Sequence, residues 1–333
     1  MRRLLILTYC LVITVVPLIL LVWKYLPPFS PAAEVILSSQ TVRLLGGIFF
    51  MLLGLISAFF SVKMRYFAGL SAVLSGLLIV QAMSYGAGMR REVYYPASKG
   101  KLTLYSHNVL YNGPCSVDLV KIVRDLSPDI AVFQEYDFSH AVLIGPYLRE
   151  LGYEEVTAYN SPAEGAFAFA VYSKLPLRNH RIYYTEGPEW KPKWPNQYIE
   201  FQFGGDWIKL VNLHIVPPHN PMAGVYPYPS QQKYILWQLE EASVRLDKGA
   251  SPAVICGDFN LTPSAKQLVH LRESFVDSWM ESGGGFGATW HNPLPVFRID
   301  YVFHSRHLRA LSCRTIGNNF SDHRGIVVEM ARE

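Results

Sequence analysis

Five short polar motifs, each closing an apolar run, lie in order across residues 104 to 328, and they constrain this chain more than any other feature. They read LYSHNVL around Asn108, DIAVFQE ending at Glu135, LVNLH ending at His214, VICGDFN with Asp258 and Asn260, and RIDYVF with SDHRGIVV, which carry Asp300, Asp322 and His323. Short apolar runs bounded by turn residues read as buried strands. Strands that each deliver one carboxylate, amide or imidazole at their ends predict a sheet with a shared polar site at one edge.

The residue types point to metal-assisted phosphoester hydrolysis. A phosphodiester carries negative oxygens, so its hydrolysis calls for a hard cation held by carboxylates to absorb charge as attack proceeds. Glu135 and Asp322 suit that task, with Asn108 holding a water or phosphate oxygen beside the ion. Asp258 and Asn260, two residues apart, suit the orientation and deprotonation of an attacking water. His214 and His323 supply imidazole donors for the developing charge, and Asp300 is the natural partner for His323. The plainer alternative is that Asn108, Asp300 and Asp322 are turn or capping residues and His214 an edge histidine. His107 is expected on the opposite strand face from Asn108, since side chains alternate. His214 and His219 in HIVPPH do not make a zinc site, because two prolines separate them and no third ligand is near.

In this order and spacing the motifs resemble those of the endonuclease/exonuclease/phosphatase superfamily, over roughly residues 100 to 331. The resemblance implies a DNase I-like α/β fold, a four-layer two-sheet β-sandwich flanked by helices. It also implies Mg²⁺ as cofactor, with Mn²⁺ as an alternative, Glu135 as principal metal ligand, Asp258 and Asn260 as the water-handling pair, and Asp300 with His323 as a dyad. His214 is similar to the DNase-like and sphingomyelinase-like branches. Tyr136 follows Glu135 where apurinic-site endonucleases run on to Thr and Lys, which argues against DNA repair.

The amino-terminal part is a different kind of sequence. Residues 4–23, 44–62 and 67–86 are apolar runs without charge, each close to the ~20 residues that cross ~30 Å of hydrocarbon. Three transmembrane helices are therefore expected, in a membrane anchor of residues 1–88, followed by a linker over 89–101 and a catalytic domain over 102–333. The first run continues to WKYLPP rather than to a small-residue cleavage site, which argues against a signal peptide. Arg2, Arg3, Lys63 and Arg65 favour a cytoplasmic amino terminus and second loop. Three spans then place the catalytic domain on the periplasmic or extracellular face of an inner or plasma membrane.

The whole-chain basicity belongs to this anchor: residues 1–86 hold six Lys and Arg against one acidic residue, and residues 87–333 hold 24 against 25. A protein gripping nucleic acid through many phosphates needs Lys and Arg clustered on its working face. Nucleic acid is therefore only the alternative substrate. The cysteines, at 10, 115, 256 and 313, have no paired spacing, and Cys256 reads as core filling.

Coarse patterning alternates strands at 102–106, 130–134, 167–173, 198–203, 207–214, 299–303 and 325–330 with helices at 117–126, 231–246 and 264–272. Three Pro-, Gly- and aromatic-rich loops, 183–198, 216–230 and 282–293, flank the motif ends. Trp190, Trp194, Tyr226 and Tyr228 either reach lipid headgroups, line the substrate groove or pack the loops. The expected function is a membrane-anchored phosphoesterase acting on a lipid-linked phosphodiester or pyrophosphate. An anchored nuclease is the runner-up and a non-catalytic binding protein the third reading. No protein partner is expected.

Overall fold

The computed structural model describes residues 2–22, 40–59, 64–86, 100–114, 117–158, 168–185, 195–217 and 228–333. The chain divides into two compact units, one of residues 1–87 and 262–266 and the other of 88–261 and 267–333.

In the first unit each of the three apolar runs is helical: α1 (Arg2–Val22), α2 (Gln40–Ser57) and α3 (Met64–Gly86). The expectation of three spans at 4–23, 44–62 and 67–86 is not met. Among the described residues only the third helix, over Met64–Ser84, is long and apolar enough to cross a bilayer. Ile6–Val22 and Thr41–Ser57 are shorter apolar helices. The second helix ends at Ser57, although its apolar run continues to 62. Glycine does act as a packing residue here. A Cβ on Gly47 would lie 2.7 Å from the Ile79 side chain, so α2 and α3 approach at a distance only a small residue permits.

The second unit is built from two six-stranded sheets. Sheet one runs β11-β12-β1-β2-β4-β3, from β1 (Leu102–Asn108), β2 (Ile130–Gln134), β3 (Glu154–Ala158), β4 (Phe169–Ser173), β11 (Leu308–Ile316) and β12 (Gly325–Arg332). Sheet two runs β5-β6-β7-β8-β10-β9, from β5 (Leu177–Tyr184), β6 (Pro195–Phe203), β7 (Asp206–His214), β8 (Ala253–Asp258), β9 (Val276–Asp277) and β10 (Asp300–His304). At the centre of each sheet lies one parallel pair, β1 with β2 and β7 with β8, in otherwise antiparallel surroundings. Helix α4 (Val117–Leu126) makes the crossover from β1 to β2 and α5 (Tyr228–Arg245) that from β7 to β8, since a parallel pair cannot be joined by a hairpin.

Side-chain alternation gives each sheet two buried faces. Leu102, Leu104, Ile130, Val132, Ile208, Leu210, Val254, Cys256 and Val302 fill the space between the sheets. The other face of sheet one, with Tyr105, Ala131 and Phe133, packs on Leu119 and Val123 of α4 and on Tyr136, Ile144 and Leu148. Each such side chain contributes about 1.5–3 kcal/mol on burial. Cys256 is fully buried, and desolvation pushes its thiol up to about 12, as suits a space-filling residue. Cys10, Cys256 and Cys313 are unpaired and buried.

Candidate active site

Along the inter-sheet face the chemistry changes in steps. Leu104, Val132, Leu210 and Cys256 form the hydrocarbon layer; two residues further along their strands come Ser106, Gln134, Asn212 and Asp258, and Asn108 and His214 stand two beyond Ser106 and Asn212. The two parallel pairs keep level with each other at this end: Asn108 is in register with Gln134, and His214 with Asp258. The antiparallel β10 begins at the same end, with Asp300 opposite Asp258. The period of two thus carries one layer from core to site.

Glu135 follows β2 directly and has φ 56°, a left-handed conformation uncommon for a residue with a side chain. It is held there: its Oε1 accepts from Asn108 Nδ2 at 2.9 Å and its Oε2 from the Tyr111 amide at 2.7 Å. Asn108 Nδ2 also donates to Asp258 Oδ2 at 3.1 Å, while its Oδ1 accepts from the Leu110 amide. The amide expected to hold a water or phosphate oxygen therefore brackets the Glu135 and Asp258 carboxylates across the two sheets.

Gly257 sets the direction of Asp258. With φ 134°, a Cβ there would lie 2.0 Å from the Leu213 carbonyl oxygen, so only glycine lets β8 pass this close to β7. Asn260 takes φ 50°, donates its amide to Asp258 Oδ1 at 2.8 Å and its side-chain Nδ2 to the Ile215 carbonyl at 2.9 Å. Asp258 Oδ2 stands 3.7 Å from Nε2 of both His214 and His323, and His214 Nε2 is 3.7 Å from Glu135 Oε1. These separations exceed hydrogen-bond reach, so the imidazoles face the carboxylates without closing on them.

His323 Nδ1 meets Asp300 Oδ2 at 2.9 Å. Ser321 and Thr289 support that pair. The Ser321 hydroxyl donates to the Asn108 carbonyl and accepts from the His323 amide, and Thr289 Oγ1 accepts from the Ile299 and Asp300 amides. His107 lies on the opposite face of β1, within hydrogen-bond distance of the Tyr105 hydroxyl and the His323 carbonyl. Burial lowers it to about 4, so it is a neutral strut.

Asp322 stands apart from the other expected metal ligands. Its Oδ2 accepts from the Trp290 indole at 2.9 Å, its Oδ1 is buried without a hydrogen-bond partner in the protein, and it belongs to neither cluster able to share an ion. Those clusters, among the described residues, are Glu135 with His214 and Asp258, and Asp258 with Asp300 and His323, each with ligand atoms within 4.8 Å of one another. The oxygens of Glu135 and Asp258 suit a hard divalent cation. The first cluster therefore fits the expected metal.

The electrostatics separate acid from base. Burial raises Asp258 to about 6, against the opposing pull of His323, His214 and the Asn260 amide. For His323 burial acts downward, but the Asp300 and Asp258 charges and the Asp300 hydrogen bond outweigh it and lift the imidazole to about 10. At neutral pH His323 is thus an imidazolium facing a carboxylate poised to take a proton.

Residue types without an obvious chemical role escaped the sequence reading: Ser321, Thr289, Trp290, Gln134 and Asn212. The place of Asn212, two residues before His214 on one strand face, is the signal that could have found it. Tyr136, read as evidence about substrate, is fully buried, stacks on Phe133 and hydrogen-bonds the Tyr172 hydroxyl; its identity reports on the core. In the 282–293 loop, Gly287 lies against the Trp279 ring, 2.4 Å from where its Cβ would be. Trp190, Trp194 and Tyr226, the Tyr228 side chain, His219 and Cys115 lie outside the described residues.

The profile of the endonuclease/exonuclease/phosphatase family matches residues 105–323. No curated protein matches the chain. Among solved structures, an endonuclease/exonuclease/phosphatase from Bacteroides vulgatus is similar at TM-score 0.58 and 16% identity, over 71% of this chain and 100% of that one. Truncated Caenorhabditis elegans TDP2 is similar at TM-score 0.55 and 16% identity, over 69% and 97%. D. rerio TDP2, solved with a single-strand DNA product, gives 0.56 and 16%, over 69% and 99%. These structures share the DNase I-like fold, and with the profile spanning every motif from β1 to His323, the chain belongs to the endonuclease/exonuclease/phosphatase family.

Proposed function

We propose that the protein is a membrane-anchored, Mg²⁺-dependent phosphoesterase that hydrolyses a lipid-linked phosphodiester or pyrophosphate. Its family generally hydrolyses phosphate esters with metal ions. One observation carries the reading: Glu135, Asp258, His214 and His323 converge at one end of the sandwich, in a chain that also holds a helix apolar and long enough to cross a bilayer.

Glu135, with Asp258 beside it, would hold the divalent ion, which supplies charge neutralisation at the phosphoryl oxygens. Asp258 accepts the proton of the attacking water while Asn260 fixes the loop that carries it. His323 donates from Nε2, its Nδ1 being engaged by Asp300. His214, 3.7 Å from Asp258 Oδ2, completes the donor set. Supporting the lipid assignment, residues 86–101 between the apolar helix and β1 reach about 55 Å at full extension. The near-neutral charge of residues 87–333 gives no excess of cations for a nucleic-acid backbone. The proposed location is a bacterial-type inner or plasma membrane with the catalytic unit outside the cytoplasm.

A nuclease is the second reading, favoured by the similarity to D. rerio TDP2 with its DNA product. The deciding experiment presents plasmid DNA, a choline or ethanolamine phospholipid and a polyprenyl pyrophosphate to the detergent-solubilised protein with Mg²⁺, with Glu135→Gln as control. Lipid turnover that vanishes in the variant is expected. DNA cleavage without lipid turnover overturns the lipid assignment in favour of the nuclease.

A further inference from the structure

Between the hydrocarbon layer and the ionisable layer lies a band of buried amides that the hydrolytic chemistry does not use. Gln134, fully buried at the last position of β2, donates from Nε2 to Asn212 Oδ1 at 2.7 Å and lies 3.3 Å from the Ser106 hydroxyl. Asn212, also fully buried, donates from Nδ2 to the Phe133 carbonyl at 2.9 Å and to Gln197 Oε1 at 3.0 Å. Gln197 continues the chain to the Val156 carbonyl at 3.3 Å. Three of these contacts cross between the sheets, Gln134 to Asn212, Asn212 to the Phe133 carbonyl and Gln197 to the Val156 carbonyl, while Gln134–Ser106 and Asn212–Gln197 tie neighbouring strands of one sheet.

Position makes this band matter. Gln134 directly precedes Glu135, whose left-handed backbone turns the carboxylate toward the site, and Asn212 precedes His214 by two residues on the same face of β7. Apolar packing between the sheets is tolerant of small slides, because dispersion and burial are nearly non-directional. Hydrogen bonds of 2.7–3.0 Å are directional and tolerate far less. We infer that Gln134 and Asn212 are positioning residues: an inter-sheet amide clamp that sets the spacing between Glu135, which directly follows β2, and His214 on β7, and with it the geometry in which Glu135, with Asp258 beside it, would hold a divalent ion in front of the His214 donor. The inference rests on the metal-dependent reading of the same site.

The clamp is not an optimum for stability alone. Gln134 Oε1 is buried without a hydrogen-bond partner, and Val132 and Leu210 show that the layer beneath is filled by hydrocarbon. A Leu pair would extend that core and remove the unsatisfied Gln134 oxygen, but it takes the Asn212 donor from Gln197 Oε1 and from the Phe133 carbonyl.

The test is the double variant Gln134→Leu/Asn212→Leu in the full, detergent-solubilised chain, read in three ways: melting temperature, direct Mn²⁺ binding by electron paramagnetic resonance, and kcat on the substrate that the wild type turns over. The clamp predicts a double variant that still melts cooperatively, with Mn²⁺ affinity lower by tenfold or more and kcat lower by at least tenfold. A folded double variant with unchanged Mn²⁺ affinity and kcat overturns the inference and leaves the amides a purely structural role. If the double variant does not fold, Gln134→Met, which keeps side-chain length and removes the Nε2 donor, is judged by the same outcomes. Wild-type protein that binds no Mn²⁺ refutes the metal-dependent reading itself, a result distinct from a variant that binds as the wild type does.

Discussion

Asp300 Oδ2 lies 2.9 Å from His323 Nδ1, inside the hydrogen-bond range, while Asp258 Oδ2 lies 3.7 Å from the same ring's Nε2, outside it. One carboxylate therefore orients the imidazole and the other leaves its outer N–H for a third oxygen.

Replacing Asp300 by Asn keeps the shape of that contact and removes the charge that lifts His323 to about 10. The alkaline limb of kcat/KM is expected to move down by at least one pH unit, and kcat/KM at pH 8 to fall by about 10²–10⁴. A pH–rate profile of Asp300→Asn against wild type reads both effects.

The same raised pKa has a consequence for stability. His323 binds its proton more tightly folded than unfolded, so its contribution is complete below the unfolded value near 6.5 and is lost as pH rises through about 10. Melting temperatures in chelator, taken from pH 6 to 10, are expected to fall across the window in wild type, and to fall less in His323→Gln.

Asp258 behaves in the opposite functional sense. Burial raises its folded pKa to about 6, so its share of stability is complete below the unfolded value near 4 and is lost as pH rises through about 6. Asp258→Asn is expected to raise the melting temperature of chelator-treated protein at pH 7 by roughly 2–6 °C while lowering kcat by about 10³-fold or more. Thermal melts and turnover on one preparation check the pair of outcomes.

Gly257→Ala tests the approach of β8 to β7. The new Cβ would sit 2.0 Å from the Leu213 carbonyl oxygen at φ 134°, so the parallel pair that carries His214 and Asp258 must part. A loss of about 4 kcal/mol or more is expected, read as a lower denaturant midpoint of the catalytic unit.

Much of the fold was legible because buried strands announce themselves. Residues 117–126 and 130–134 are a helix and a strand over those bounds, for the amphipathic period and the Ser127-Pro128-Asp129 turn leave little choice. Strand β5 was not legible: Arg178, Asn179, His180 and Arg181 are exposed on a sheet edge, and an edge strand with one wet face and polar residues carries no apolar alternation. Strands β3 and β11 and helices Phe138–Leu143 and Gly145–Glu150 escaped for a related reason, being short or half-polar elements stabilised by tertiary contacts. In the second apolar run hydropathy continues past Ser57 where the helix does not.

The sequence by itself determined which residues stand at strand ends, because apolar runs force strand interiors into a core and leave the polar residue at the boundary. That sufficed to name Asn108, Glu135, His214, Asp258, Asn260, Asp300, Asp322 and His323. Only the tertiary structure decided what each touches. It turned Asn108 into a bracket between Glu135 and Asp258, tied Asp322 to Trp290, buried Tyr136 and bound Gln134 to Asn212. Those contacts join residues 27 to 150 positions apart, and their directional hydrogen bonds depend on how two sheets register face to face, which no local pattern encodes.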